Sequence, residues 1–430
     1  MSIQNHVRVY FGQDGEVSED LRGRFFLDNG SGRISDLSSV RLLRCGVDTV
    51  RQLYTGSVKP EVLALFGDTA EVITFAGERF HASRVGRDSG YQFKLQNADL
   101  GFVLLLKNFN VKAYCPGPHL KIEVSPHAID SCEPQKLQSM MDAFADLILV
   151  DAVPRQCAVH LALDFQGWTP PVDFVDRMHC KARAQRRFDG VLSFEFDEKT
   201  ATYGRGQSFL FGSAGALQLG FYNKSLQAKS IDKLDYWEHV WSRYDNPFDA
   251  EDPANYDPAQ PVWRCEFRYH HSVVEQFSQG SCCARTGQQI GTQTYAELAS
   301  HLDGLWQYGL KTFRFLERPT LWDPLWQLFM QDVRVETGVT SLLDETEYRR
   351  YYKTSSGFSG KNIDLMVGNA ISLAARQRLD ARQTFKAIRS LPFWPLIRDY
   401  YMDKGISPQL LRIIVRDRLE ERLIRWGVAV

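Results

Sequence analysis

The sequence predicts an α+β fold: a mostly antiparallel sheet with flanking helices, followed by a C-terminal helical domain. From about residue 42 to residue 269, short runs of Val, Ile, Leu, Phe and Tyr alternate with polar residues between Gly, Pro and Asn punctuation. Stretches with helical spacing separate some of these runs, without a regular βαβ order. Beyond about Ser278, apolar residues recur at i, i+3 and i+4. These three patterns define the predicted class.

The sheet is predicted to contain five to seven strands. The strand candidates, taken in chain order, are Val47–Leu53, Tyr91–Leu95, Phe102–Leu106, Leu120–Val124, Ala158–Phe165, Val191–Phe196, Ala216–Tyr222 and Val262–Tyr269. Between them, Gln135–Val150 and Pro171–Arg187 have helical spacing. The proline-punctuated stretch Ser242–Pro261 is predicted to be a loop.

The later helices are predicted at Tyr295–Phe313, Leu325–Glu336, Asn362–Leu379, Ala381–Ser390 and Pro408–Gly427. We therefore expect three segments: an N-terminal extension over 1–40, a sheet domain over 41–278 and a helical domain over 279–430.

Composition excludes several classes of protein. With 44% apolar and 24% charged residues over 430 positions, the chain is neither disordered nor fibrous. A formal charge of -1 provides no overall attraction to nucleic acid, so any such affinity must come from local patches. Eight cysteines without zinc spacing are typical of reduced thiols, and no apolar stretch reaches the roughly 18 residues of a membrane span. These features predict a cytoplasmic protein that does not bind membranes.

Four segments carry the candidate chemistry: His119–Pro126 (HLKIEVSP), Val159–Phe165 (VHLALDF), Leu219–Lys224 (LGFYNK) and Val262–Arg268 (VWRCEFR). Their order and spacing resemble the trans-acting rolling-circle replication initiators of small plasmids, filamentous phages and integrative elements. In that family a strand reading roughly RLDLAFDF precedes a strand ending in IYNK or IYDK, and a WRxE strand follows. The resemblance covers roughly residues 42–277, including the segments Gly46–Thr49 and Gly90–Asn97.

The resemblance implies a fold like that of the tyrosine-nicking (HUH-like) nucleases, with Tyr222 as the nucleophile. A phenol is a weak nucleophile because its pKa is about 10, so a nearby cation must favour the phenolate. Lys224, two residues on, is expected on the same strand face. A divalent metal, Mg²⁺ or Mn²⁺, would polarise the phosphate, and Asp164 and Glu266 are its expected ligands.

Two further metal candidates are His160 and Glu123. His160 and Asp164 lie about 13 Å apart on one strand, so only one is expected to bind the ion unless the strand bulges. We favour Asp164, because the family has an aspartate at its position, whereas His160 replaces one. The alternation of residues along its strand would let Glu123 face the same cleft, but it could equally face solvent.

The WRxE segment departs from the plasmid branch, which has a second glutamate where this chain has Arg268. Arg264 and Arg268 share a strand face with Glu266 by period two. A phosphate clamp around one carboxylate is therefore as reasonable as a metal site with two carboxylates.

Basic residues that could hold DNA phosphates cluster in a predicted helix, at Lys181, Arg183, Arg186 and Arg187. A solvated helix face is the alternative. In the last third, basic residues of Lys361–Arg389 could contact DNA while neighbours read base edges, or these helices could form a cap or a dimer interface.

The function implied by the resemblance is nicking of one DNA strand at an origin hairpin. The products are a 5′-phosphotyrosine link and a 3′-hydroxyl primer. DNA in single- and double-stranded form and a host helicase are the implied partners, and a homodimer is possible. The alternatives are a relaxase of a conjugative or integrative element, which uses the same chemistry, and a non-catalytic origin-binding regulator.

Overall fold

The computed structural model describes residues 3–12, 15–19, 23–86, 90–111, 117–180, 185–189, 205–249, 252, 254–351 and 360–426. Helices and antiparallel strands mix along the chain, which confirms the α+β class. The chain divides into two compact units, Met1–Arg350 and Tyr351–Val430.

The strands of the first unit are β1 (Val7–Phe11), β2 (Val17–Glu19), β3 (Phe25–Leu27), β4 (Ile34–Asp36), β5 (Arg41–Val58), β6 (Glu71–Phe75), β7 (Glu78–Arg84), β8 (Tyr91–Asn97), β9 (Phe102–Asn108), β10 (Gly117–Val124), β11 (Leu149–Gln166), β12 (Met178–His179), β13 (Gln185–Asp189), β14 (Arg205–Gly212), β15 (Leu217–Asn223), β16 (Trp263–Tyr269), β17 (Cys282–Cys283), β18 (Arg314–Arg318), β19 (Leu321–Trp322) and β20 (Thr346–Glu347).

The helices of this unit are α1 (Pro60–Leu63), α2 (Pro126–Asp130), α3 (Pro134–Ile148), α4 (Phe174–Arg177), α5 (Lys224–Ser230), α6 (Leu234–Trp241), α7 (His271–Gly280), α8 (Tyr295–Leu298), α9 (Leu302–Thr312) and α10 (Pro324–Asp332).

One large antiparallel sheet organises the first unit, in the order β13-β14-β15-β16-β11-β5-β10-β9-β8-β7-β6. In the part of the chain that the structure describes, this sheet has 11 strands, more than the five to seven expected, because β6, β7, β13 and β14 are added by pairing at the two edges. The predicted strand Val191–Phe196 lies outside the described residues. The two central strands, β5 and β11, are 18 residues long each and pair with each other.

Helices cover one face of this sheet, which we call the core face. Phe267 of β16 packs against Trp306 of α9, with ring centroids 5.0 Å apart, and the Tyr269 hydroxyl donates to the Leu305 carbonyl. Burial of large aromatic side chains is the main apolar contribution to such a core. Residues 279–350 therefore belong to the first unit, and the boundary lies near residue 350 instead of the expected 278.

The N-terminal residues form part of the fold rather than an extension. They form a four-stranded sheet in the order β2-β1-β3-β4. His6 hydrogen-bonds through Nε2 to the Trp322 carbonyl, and Arg8 forms an ion pair of 2.6 Å with Asp332. The sequence did not reveal these contacts because the partners are more than 300 residues away.

The predicted helix Pro171–Arg187 was wrong. Among the described residues of this segment, only Phe174–Arg177 is helical, while Met178–His179 form β12 and the residues from Gln185 belong to β13. Phe174 is fully buried among aromatic rings, including those of Phe221 at 4.8 Å and Phe315 at 4.9 Å. Tertiary packing and strand pairing therefore override the helical spacing of this segment.

The second unit contains α11 (Gly360–Arg376), α12 (Ala381–Arg389), α13 (Trp394–Asp403) and α14 (Pro408–Trp426). The prediction missed α13. Ile371, Ile388 and Val415 belong to the small core that these helices share. Among the described helices of either unit, none is long and apolar enough to cross a membrane.

Candidate active site

Three adjacent strands bring the predicted site residues together on the polar face of the sheet, opposite the core face. Strand pairing sets them in three rows across β15, β16 and β11. The rows are Tyr222, Arg264 and Asp164; Gly220, Glu266 and Ala162; and Gln218, Arg268 and His160. Because side chains alternate along a strand, all nine positions belong to one face. Period-two alternation therefore correctly predicted the shared face of Arg264, Glu266 and Arg268 on β16, and that of His160 and Asp164 on β11.

Tyr222 contacts the central carboxylate of this face directly. Its hydroxyl donates to Glu266 Oε2 at 3.0 Å. The ring leans over Gly220, where an added Cβ would lie 3.6 Å from a Tyr222 ring carbon. Burial first, and then the negative charge of Glu266, raise the pKa of Tyr222 well above its usual range, while the charges of Arg264 and Arg268 oppose this shift. The phenol is therefore protonated in this arrangement.

Glu266 is buried and accepts hydrogen bonds on both oxygens. Arg268 donates to Oε1 and Oε2, both at 3.0 Å, and His160 Nδ1 lies 3.1 Å from Oε1. Together with Tyr222, these contacts fill the four acceptor positions of a carboxylate. Burial disfavours ionisation, but the Arg268 charge and the His160 hydrogen bond outweigh it and hold the pKa of Glu266 well below its usual range.

A bulge in β5 adds a second carboxylate, Asp48. His160 pairs with Thr49 and Leu161 pairs with Val47, so Asp48 is the extra residue between them. Bulges commonly redirect a side chain next to an active site. One ligand atom each from Asp48, His160 and Glu266 lies within 4.8 Å of the others.

This cluster of two carboxylates and one imidazole is the candidate metal centre. Oxygen ligands suit Mg²⁺ and Mn²⁺, and an imidazole adds affinity for Mn²⁺ and later divalent metals. The donor set therefore fits a divalent cation, provided that His160 is neutral and that at least one of the donors on Glu266 moves aside. Strand periodicity could not identify Asp48, although it lies in the family-like segment Gly46–Thr49.

Asp164 does not join this cluster, contrary to expectation. It is fully buried, and Arg264 donates to its two oxygens at 2.6 and 2.7 Å. Trp241 Nε1 donates to Oδ2 at 2.9 Å. His160 and Asp164 lie too far apart on β11 for both to bind one ion. The structure brings His160, not Asp164, to the candidate metal centre.

Arg264 is likewise a buried linker and not a DNA contact. It is fully buried, forms an ion pair with Asp48 in addition to Asp164, and stacks on the Trp237 ring at 4.3 Å. Its guanidinium therefore connects Asp164 to Asp48 and has no exposed surface for a phosphate. Arg268 differs, because its side chain is 21% exposed.

Lys224 is not on the strand of Tyr222. The strand β15 ends at Asn223, whose side chain caps the helix that starts with Lys224. The ammonium donates to Gln227 at 2.7 Å and lies 4.3 Å from the centre of the Trp237 ring. Burial, with the charge of Arg264, lowers its pKa to about 7. The cations that favour the Tyr222 phenolate are thus Arg264 and Arg268.

Glu123 lies on β10, beyond β5 from the metal centre. Lys121 and Arg51 form ion pairs with it at 2.8 and 3.2 Å. Burial raises its pKa, but these two charges outweigh burial and lower it overall. Glu123 is therefore on the polar face but outside the ligand cluster.

Of the predicted basic helix face, the structure describes only Arg186 and Arg187. Lys181 and Arg183 lie outside the described residues. Arg186 and Arg187 lie on β13 and pair with Leu210 and Phe209 of β14. Helical spacing therefore does not apply to these two arginines.

The fold and the site together define an α+β protein with a tyrosine, an imidazole and two carboxylates on one sheet face. The chain is 49% identical over 424 residues to a protein of Pseudomonas phage Pf1 described as uncharacterized protein ORF430, and the match covers 98% of each. This chain belongs to the family of that phage protein. No model of a known protein family matches the chain.

Proposed function

We propose that this chain is a rolling-circle DNA replication initiator that nicks one strand at an origin by tyrosine transesterification. The observation that carries the proposal is the 3.0 Å hydrogen bond from the Tyr222 hydroxyl to Glu266, next to the cluster of Asp48 and His160. A nucleophile beside a group of metal-type ligands is an arrangement that can support covalent, metal-assisted phosphodiester cleavage. A relative encoded by a phage fits a role in copying phage DNA.

In the proposed reaction, the Tyr222 oxygen attacks the scissile phosphorus and the bond from phosphorus to the 3′ oxygen breaks. The phenolic proton leaves along the hydrogen bond to Glu266 and passes to water, and the departing 3′ oxygen takes up a proton. In the product, the phosphorus joins the Tyr222 oxygen to the 5′ oxygen of the cleaved strand. The free 3′-hydroxyl is the primer that a host polymerase extends.

A divalent cation, Mg²⁺ or Mn²⁺, held by Asp48, His160 and Glu266 would supply positive charge to the phosphate and the phenol. Two arginines of the chain form ion pairs with the carboxylates of this site. Arg264 fixes the Asp48 carboxylate from its buried side. Arg268, which is partly exposed and bound to Glu266, is the residue best placed to contact a phosphate.

The proposal includes three further expectations. They are a fold like that of the tyrosine-nicking (HUH-like) nucleases, a host helicase as partner and a possible homodimer. A relaxase of an integrative element would use the same site and differ only in the DNA that it cleaves.

A non-catalytic origin-binding regulator is the second candidate. The observation that favours it is Arg268, which occupies both oxygens of Glu266 where the plasmid branch has a second glutamate. Such a protein would bind its origin without a covalent product. The two candidates therefore differ in one measurable outcome.

The test incubates the full chain with supercoiled DNA of the element that encodes it, with and without Mn²⁺. We expect a Mn²⁺-dependent nick and a protein–DNA adduct that resists denaturation. Tyr222→Phe removes only the nucleophilic oxygen, so both products should disappear while DNA binding remains.

Tyr91→Phe is the matched control, because Tyr91 lies in the same sheet but its hydroxyl donates to the Pro118 carbonyl. This variant should nick normally. An adduct that persists in Tyr222→Phe would move the nucleophile to another tyrosine. Origin binding without any nick or adduct in the wild type would favour the regulator.

A further inference from the structure

Formal charge is divided unequally between the two units. Residues 351–430 contain 14 lysines and arginines and seven aspartates and glutamates, a formal charge of +7. The first 350 residues therefore carry -8 of the total of -1. A chain that is neutral overall thus has one strongly basic unit, and a basic unit of this size attracts polyanions.

Helices α11 and α12 of this unit form a helix–turn–helix. The turn between them is the four residues 377–380, in which Arg378 has a positive φ of 55°. Asp380 then caps α12 in a capping box with Gln383. A turn of three to four residues between two packed helices is one feature of the DNA-binding helix–turn–helix, which presents its second helix to the major groove.

The outer face of α12 is basic, and no described acidic residue forms an ion pair with it. Its exposed cations, Arg382, Lys386 and Arg389, are spaced by four and three residues, whereas Thr384 and Ile388 are buried on the opposite side. In the described part of this unit, the ion pairs are Arg398–Asp399, Lys404–Asp364 and Arg416–Asp417, so none involves this face.

We infer that the exposed face of α12, formed by Arg382, Lys386 and Arg389, binds double-stranded DNA in the major groove. An α-helix with its side chains is about 10–12 Å across, which matches the major-groove width of about 12 Å. Charges one turn apart can contact phosphates on the groove edges. The inference rests on the proposed function only in taking DNA as the substrate, and it names the surface that holds the duplex.

The test replaces the three cations by glutamine, a good helix former, in the full-length Tyr222→Phe protein, so that no covalent product forms. Binding is measured by fluorescence anisotropy against a labelled 30-base-pair duplex and the corresponding single strand. We expect at least about a tenfold loss of duplex affinity at about 0.15 M salt. The slope of log affinity against log salt should also fall by about one for each lost contact.

The matched control is the triple glutamine variant of Lys136, Arg155 and Arg285, three exposed cations of the first unit that change the net charge equally. It should retain duplex affinity within about twofold of the parent protein, because the formal charge changes equally but none of the three residues belongs to the proposed surface. Equal losses in the two triple variants would overturn the inference.

Two further results would also overturn it. One is an equal loss of single-strand affinity, which would make the face a general polyanion surface. The other applies if circular dichroism shows that the triple variant has lost helix. In that case, normal duplex binding by each of the three single variants would overturn the inference. Because none of these measurements needs cleavage, failure here is distinguishable from failure of the nicking proposal.

Discussion

Replacing Asp164 by asparagine should destabilise the protein strongly, because Asp164 neutralises a buried arginine. Arg264 is fully buried and makes two hydrogen bonds to Asp164, at 2.6 and 2.7 Å. Removing one partner of a buried ion pair costs about 3–5 kcal/mol, since the other charge remains out of water. Arg264 keeps its ion pair with Asp48, which favours the lower end of this range.

The size of the effect can be converted into a melting temperature. Unfolding entropy near 60 °C is about 2.1 cal/mol/K per residue, so a unit of 350 residues loses about 0.7 kcal/mol for each degree. We therefore expect Asp164→Asn to lower Tm by about 4–7 °C. The measurement is thermal unfolding followed by tryptophan fluorescence, with Trp241 beside the mutated residue.

Glu123→Gln is the matched control, because Glu123 also pairs with two cations on the same face but is 25% exposed. Its partners Arg51 and Lys121 are also partly exposed, so the charges left behind remain partly solvated and Tm should fall by clearly less than in Asp164→Asn. The reasoning is refuted if Asp164→Asn has the Tm of the wild type but a lower Mn²⁺ affinity, as expected for the loss of a metal ligand.

Two other predictions concern the metal centre and the buried lysine. Asp48→Asn should lower Mn²⁺ affinity, measured by electron paramagnetic resonance of the free ion, by more than the roughly 10–100-fold that loss of a supporting residue costs; unchanged affinity would remove Asp48 from the ligand set. Burial lowers the pKa of Lys224 to about 7, so its protonated form destabilises the fold below this pH, and the cost fades as pH rises toward the ordinary value of 10.5. Lys224→Met should therefore raise Tm over the wild type most at pH 7 and below, with a smaller gap at pH 10. Lys229→Met, an exposed site on α5, should show no such pH-dependent gap.

Local patterns in the sequence determined the α+β class, the shared face of Arg264, Glu266 and Arg268, and that of His160 and Asp164. Side chains alternate along any strand, so period two is sufficient to place neighbours on one face once strands pair. The same local information predicted α3, α9 and three of the four helices in the second unit. The sequence by itself therefore determined the features that depend on a single segment, namely the type of element and the face on which each side chain lies.

Tertiary structure decided which of those residues meet. The bulge that brings Asp48 beside His160 arises from the pairing of β5 with β11, more than 100 residues apart in the chain. Asp164 is drawn away from the cluster by Arg264 and Trp241, which pattern alone cannot place. Likewise, the unit boundary near residue 350 depends on how residues 279–350 pack on the sheet. Long-range pairing and burial, which no local window contains, set the composition of the site.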